Sequence, residues 1–224
     1  VIAVIARAQQ PDGYLATQTL VRGWPRFRNI VHHELYVMGH LITAACIHHR
    51  VTGKTSLLDV ARRAADSIHA TFRERGPDLA HFPFNPTIIM AGVELYRTTA
   101  ERRYLDMANV FIDGRGAVPG GTDQSQDFVP LRQEKEVVGH MVLATYLYAG
   151  AADSYLESGD PSLLEALERL WRDLEERKLY LTGGCCSLHR ALSIRWPGDG
   201  RWPTSAHDVH EAAGPAYDLP HATA

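Results

Sequence analysis

The sequence predicts an all-α protein built from helical hairpins. Three observations carry that expectation. Apolar residues recur with helical period along most of the chain. Convincing alternating strands are scarce. One hairpin design recurs three times. The recurring unit is visible in "TGKTSLLDVARRAAD" (52–66), "TAERRYLDMANVFID" (99–113) and "SGDPSLLEALERLWRD" (158–173). Each is a short polar turn, then Leu-Leu or Tyr-Leu, an acid and an amphipathic helix. Leu58, Leu105 and Leu164 are equivalent, 47 and then 59 residues apart. Hairpins of this kind cannot bury their apolar faces alone and must stack. Either an α-solenoid or a closed α/α toroid follows, and periodicity does not choose between them.

The elements run in order. Val1 to Arg7 reads as the middle of a helix in a piece of a longer protein. Helices are expected near 31–51 and 56–74, 86–98 and 102–113, and 133–157 and 162–178. These give three hairpins, near 31–74, 86–113 and 133–178. "LYLTGG" (179–184) is the best candidate for a strand. Residues 184–224 hold Pro197, Pro203, Pro215 and Pro220 and read as a long irregular loop region. Loops of that length are often functional.

Bulk properties exclude some functions. The 224 residues are 45% hydrophobic and 22% charged, ordinary for a globular domain. A formal net charge of −3 argues against a nucleic-acid partner. No apolar run is expected to span a membrane. Three cysteines make no disulfide framework, so the compartment stays open.

"HHELYVMGH" (32–40) concentrates three histidines and a carboxylate. On a helical wheel Val31, Leu35, Met38, Ile42 and Ala45 form one stripe. His33 and His40 fall opposite it, with Ala44 and Ile47 nearby. An inner helix of a toroid would have two such faces, one packed and one lining a lumen. A shared metal fails on geometry, since two turns separate the imidazoles by about 10 Å along the axis. The residues suit either hydrogen-bonded core histidines or a substrate pocket. "VVGHMVLATYLYAG" (137–150) repeats the Gly-His step as Gly139-His140, which tilts the reading toward a common lumen. Trp24, Phe27, Tyr36, Trp196 and Trp202 lie in or beside loops and helix ends, where rings stack on apolar sugar faces.

Taken in order, "AQQPDGYLATQ" (8–18), "HELYVMGHLITAA" (33–45), "VELYRTTAERRYLDMA" (93–108), "VVGHMVLATYLYAGAAD" (137–153), "LERLWRDLEERKLYLTGG" (167–184) and "HEAAGPAYDLPHATA" (210–224) resemble the β-L-arabinofuranosidase type of glycoside hydrolase. The resemblance covers essentially the whole chain but only the front part of such proteins. It implies an (α/α)6 toroid catalytic domain, incomplete here, and β-sandwich domains later in the chain. It implies an arabinofuranosyl glycan as carbohydrate partner, and a retaining mechanism. A cysteine thiolate held on zinc attacks the anomeric carbon and a separate Glu protonates the leaving group. Glu211 stands at the position of that acid/base. His33 and His140 match histidines that contact sugar. Asn85 stands where many relatives carry another His, His221 replaces a usual Asn and Ala213 a usual Phe. The zinc ligands and the nucleophile of such enzymes fall after Ala224, so no metal is expected on residues 1–224.

Two features need separate weighing. Cys185-Cys186 imitates the nucleophile pair but precedes Glu211, whereas the true pair follows it. Two adjacent thiols do not readily reach one ion, and His189 does not complete a site. Cys46 reads as a small buried hydrophobe. Glu211 by itself would read as a solvated loop carboxylate. Glycoside cleavage, however, wants a protonated donor beside the departing oxygen, and a loop over a lumen could bury it. Glu34 and Asp127 are the candidates for a second acid if a two-carboxylate mechanism applies instead. A binding scaffold without catalysis is the other alternative.

Overall fold

A computed structural model describes residues 1–185 except Arg75. The described residues form eight α-helices: α1 (Ile2–Ala8), α2 (Thr17–Arg22), α3 (Glu34–Thr52), α4 (Ser56–Phe72), α5 (Thr87–Thr99), α6 (Arg102–Gly114), α7 (Met141–Ser158) and α8 (Pro161–Arg177). No β-strand occurs among the described residues. The three expected hairpins are α3–α4, α5–α6 and α7–α8.

They form two layers. The inner helix α5 packs on both α3 and α7, and the outer helix α4 packs on α6. This is the inner and outer helical order of an α/α toroid. The layers differ because their sequences differ. The outer helices bury one stripe: Leu57, Leu58, Ala61, Ala64, Ala65, Ile68 and Phe72 on α4, and Leu163, Ala166, Leu170 and Leu174 on α8. That spacing is a single apolar face. Of the expected stripe, Leu35, Met38, Ile42 and Ala45 are buried on α3, as is Cys46, whereas Val31 is exposed because it lies in the 3-10 turn before the helix. The second face of α3, with Val37, His40, Ala44 and Ile47, is exposed. Small residues bring the inner helices close. A Cβ on Gly39 would stand 3.2 Å from the Ile88 backbone nitrogen, so this glycine serves the α3–α5 contact.

Each inner helix ends in the same device. Gly53, Ala100 and Gly159 adopt left-handed backbone with φ of 69°, 58° and 69°. Each N–H caps a carbonyl four residues back, on His49, Tyr96 and Tyr155. The chain then turns into an outer helix, which is why the polar turn recurs in the sequence. Asp160 caps α8 by accepting from the Ser162 N–H at 2.9 Å, with Pro161 as the first helical residue.

Four expectations change. The helix expected at 31–51 begins only at Glu34, after a 3-10 turn at Ile30–His32. The helix expected at 133–157 begins at Met141, because residues 134–140 form a non-helical segment bonded to side chains at α8. "LYLTGG" is not a strand: Gly183 N–H bonds back to Tyr180 O at 2.8 Å, closing a turn. Helix α2 has too short a pattern to announce itself. Residues 30–52 do reach the length and mean hydropathy, 1.2, of a membrane span. They comprise the 3-10 turn, His33 and the inner helix α3, which packs on α4 and α5.

Candidate active site

His33 is not on the helix face that the wheel assigns to it. It precedes α3 with φ 57° and ψ 27°, a left-handed turn that separates the 3-10 turn from the helix. The reason is its neighbour. The Glu34 carboxylate is buried and accepts the Phe27 N–H at 2.9 Å and the Tyr14 hydroxyl. That anchors the first turn of α3 to the loop before it. Burial and the bond to Glu34 raise the Tyr14 pKa, so its proton stays on the phenol. His32 stacks on Trp24 with ring centroids 4.1 Å apart. His33 is left exposed, its ring 5.9 Å from both Tyr36 and Phe84. A line of rings continues along α3: Tyr36 to His40 at 4.4 Å, then His40 to Tyr146 of α7 at 6.3 Å.

Asn85 sits two residues before α5. Its side-chain oxygen accepts from the Thr87 N–H at 3.1 Å and from the Thr87 hydroxyl. The carbonyl end therefore caps α5, which leaves the NH2 end for other partners. The residue is buried, between Phe84, whose ring faces His33, and α5.

His140 is the residue immediately before α7, in extended backbone. Its N–H donates to Gln124 O at 2.9 Å. The Gln126 amide donates to Val138 O at 2.9 Å and to His140 O at 3.4 Å. The ring is half-buried, and Nδ1 is buried with no hydrogen-bond partner among the described residues. Burial lowers its pKa below the usual imidazole value, which keeps it neutral. The two Gly-His steps are not equivalent. Gly39 lies inside α3 at a helix contact, whereas Gly139 has φ 78° and its Cα faces Asp123 O so closely that no Cβ fits. The positional equivalent of His140 is His33: each directly precedes an inner helix.

His33, Asn85 and His140 thus stand at the N-terminal ends of α3, α5 and α7. Three helix starts at one end of a layer present positive dipole ends there. Two cross-links join the loops that carry Asn85 and His140. The buried guanidinium of Arg115 donates to Pro83 O at 2.9 Å and to Ser125 O. The His81 Nδ1 and Asp127 Oδ2 are 3.0 Å apart. Neither link has a signal in the sequence, because each joins residues tens of positions apart. Glu134 was also missed. It lies in a charged run that reads as exposed, yet it is buried, and burial raises its pKa to about 8 against a hydrogen bond from Tyr148. It lines a cavity of about 450 Å³ with Gln126, Phe128 and Val138.

The candidate second acids are otherwise engaged. Glu34 is held as described, and Asp127 accepts the Thr122 N–H and the Ser125 hydroxyl, both at 2.7 Å, besides facing His81. Among the described residues no three His, Cys, Asp or Glu side chains gather in a way that fits a metal ion. Cys46 is buried as a small apolar residue, and Cys185 packs against the core. Glu211, His221, Ala213, Cys186, His189, Trp196 and Trp202 lie outside the described residues.

Comparison with known proteins agrees with this architecture. The family profile of the β-L-arabinofuranosidase GH127 catalytic domain matches residues 1–224. The chain is 34% identical to the non-reducing end β-L-arabinofuranosidase of Bifidobacterium longum subsp. longum, over 88% of this chain and 34% of that protein. A GH127 β-L-arabinofuranosidase from Geobacillus stearothermophilus T6 superposes with a TM-score of 0.81 at 34% identity, over 87% of this chain and 34% of that one. A second GH127 β-arabinofuranosidase superposes with a TM-score of 0.80 at 32% identity, over 87% of this chain and 32% of that one. The chain spans about a third of the length of these relatives. A family match over its whole length, on a layered helical-hairpin fold shared with solved members, places this chain in the GH127 β-L-arabinofuranosidase catalytic-domain family.

Proposed function

We propose that the full-length protein removes non-reducing terminal β-L-arabinofuranosyl residues from glycans with retention, and that residues 1–224 supply the sugar-holding wall and the proton donor. The observation that carries this reading is the placement of His33, Asn85 and His140 at the N-terminal ends of three successive inner helices. A neutral imidazole supplies one donor and one acceptor, which suits a sugar hydroxyl. His33 and His140 hold hydroxyls in this way, and the Asn85 NH2 donates to a third. Glu211 gives its proton to the glycosidic oxygen as the bond to the anomeric carbon breaks. In the second half-reaction it takes a proton from the attacking water. Its carboxyl must be protonated at working pH to act as the donor.

The zinc that the family resemblance implies has no fitting ligand set among the described residues, and no step is assigned to a metal on them. The nucleophile is assigned to no residue of 1–224.

The test is hydrolysis of 4-nitrophenyl β-L-arabinofuranoside by the full-length protein. Turnover is expected, with kcat lowered about 10²- to 10⁴-fold in Glu211→Gln. An unchanged kcat in that variant, or no turnover by the unmodified protein, refutes the reading.

A further inference from the structure

Between the 3-10 turn at Leu131–Gln133 and α7, residues 134–140 form a non-helical strap that bends at Glu136 and Gly139. A buried backbone needs its N–H and C=O groups paired. Here Glu134 O and the two groups of Val137 are paired by side chains on and at the end of one outer helix. Arg169 of α8 donates from Nε to Glu134 O at 2.6 Å and from Nη2 to Arg132 O at 2.9 Å. Asp173 Oδ2 accepts the Val137 N–H at 2.7 Å. Lys178, at the C-terminal end of α8, donates from Nζ to Val137 O at 2.5 Å. Lys178 and Asp173 also pair with each other at 2.7 Å, and both residues are 6% exposed.

A buried ion pair is a costly way to hold a structure when apolar packing would serve. This one satisfies both polar groups of a single residue, Val137, which is itself fully buried. Three residues later comes His140. Between them Gly139 is pressed against Asp123 O, and Val138 O is held by Gln126. With both ends pinned, a shift at Val137 passes to His140 rather than being absorbed by the strap.

We propose that Asp173 and Lys178 are positioning residues for His140: a buried ion pair on the outer helix that sets where the imidazole stands at the start of α7. The effect on substrate rests on the sugar-binding reading of His140. The effect on the ring does not.

The experiment uses the full-length protein labelled with 13C-histidine, with the His140 resonance identified by its loss in His140→Ala. Lys178→Met is expected to move that resonance and Lys178→Arg, which keeps a donor, to move it less. With 4-nitrophenyl β-L-arabinofuranoside, Lys178→Met is expected to raise KM roughly tenfold, the loss of about one substrate hydrogen bond, with kcat little changed. In a His140→Ala background the same substitution should have no further effect on KM. Should Lys178→Met leave an unpaired carboxylate that prevents folding, Asp173→Asn/Lys178→Met removes both charges and gives the same comparison. An unmoved His140 resonance overturns the proposal. So does a KM increase that persists in the His140→Ala background. A moved resonance with unchanged KM upholds the positioning and refutes the sugar role of His140.

Discussion

The imidazole of His33 and the ring of Phe84 stand 5.9 Å apart at 58°, and Phe84 immediately precedes Asn85. The contact ties the start of α3 to the start of α5. It puts an exposed imidazole beside a buried amide, across 52 residues of sequence.

His33→Ala in the full-length protein should therefore lose substrate affinity rather than metal. Removing one hydrogen bond to a hydroxyl costs about 1–3 kcal/mol. The measurement is kcat/KM together with metal content. Unchanged activity, or lost metal, counts against the assignment.

Glu34 distinguishes the one-acid from the two-carboxylate mechanism. Its carboxylate is occupied by Tyr14 and by the Phe27 N–H. Glu34→Gln should lower stability, by about 1–3 kcal/mol for a weakened buried network, and leave the pH dependence of kcat with its shape. A missing limb in the pH–rate profile would make Glu34 a catalytic acid after all.

Glu134 predicts a pH-dependent stability. Its folded pKa, about 8, lies above the ordinary carboxyl value of 4.5. Below 4.5 folded and unfolded chains both hold the proton and nothing is lost. Between 4.5 and 8 the unfolded chain releases it while the folded chain keeps it, so stability falls as pH rises. Glu134→Gln removes this loss. Its melting temperature relative to the unmodified protein should be higher at pH 8.5 than at pH 5. Parallel curves across that range would contradict the assignment.

Ala100 carries φ 58° where the equivalent caps use Gly53 and Gly159. A left-handed Ala costs about 1–2 kcal/mol, and glycine gives back about 0.4–1 kcal/mol of that through the unfolded chain. Ala100→Gly, at an exposed position, should be net stabilising by about 0.5–1 kcal/mol, read as a rise in melting temperature. A fall would show that the turn is not under strain.

The sequence by itself determined the helical hairpins and their number among residues 31–178. Those properties are local: apolar residues at helical spacing make each helix, and a polar turn joins the two helices of each hairpin. Motif resemblance supplied the family, with His33, Asn85, His140 and Glu211 as candidates, whereas helical periodicity alone left His33 open between a core histidine and a pocket residue. Tertiary structure decided where those candidates stand. His33 leaves the helix because Glu34 bonds to Tyr14 and Phe27, 20 and 7 residues away. The start of α7 slips to Met141 because Asp173 and Lys178, 36 and 41 residues from Val137, take its backbone groups before a helix can. Hydrogen bonds over such separations leave no periodic trace in the chain. They form only when folded layers bring the donors and acceptors together.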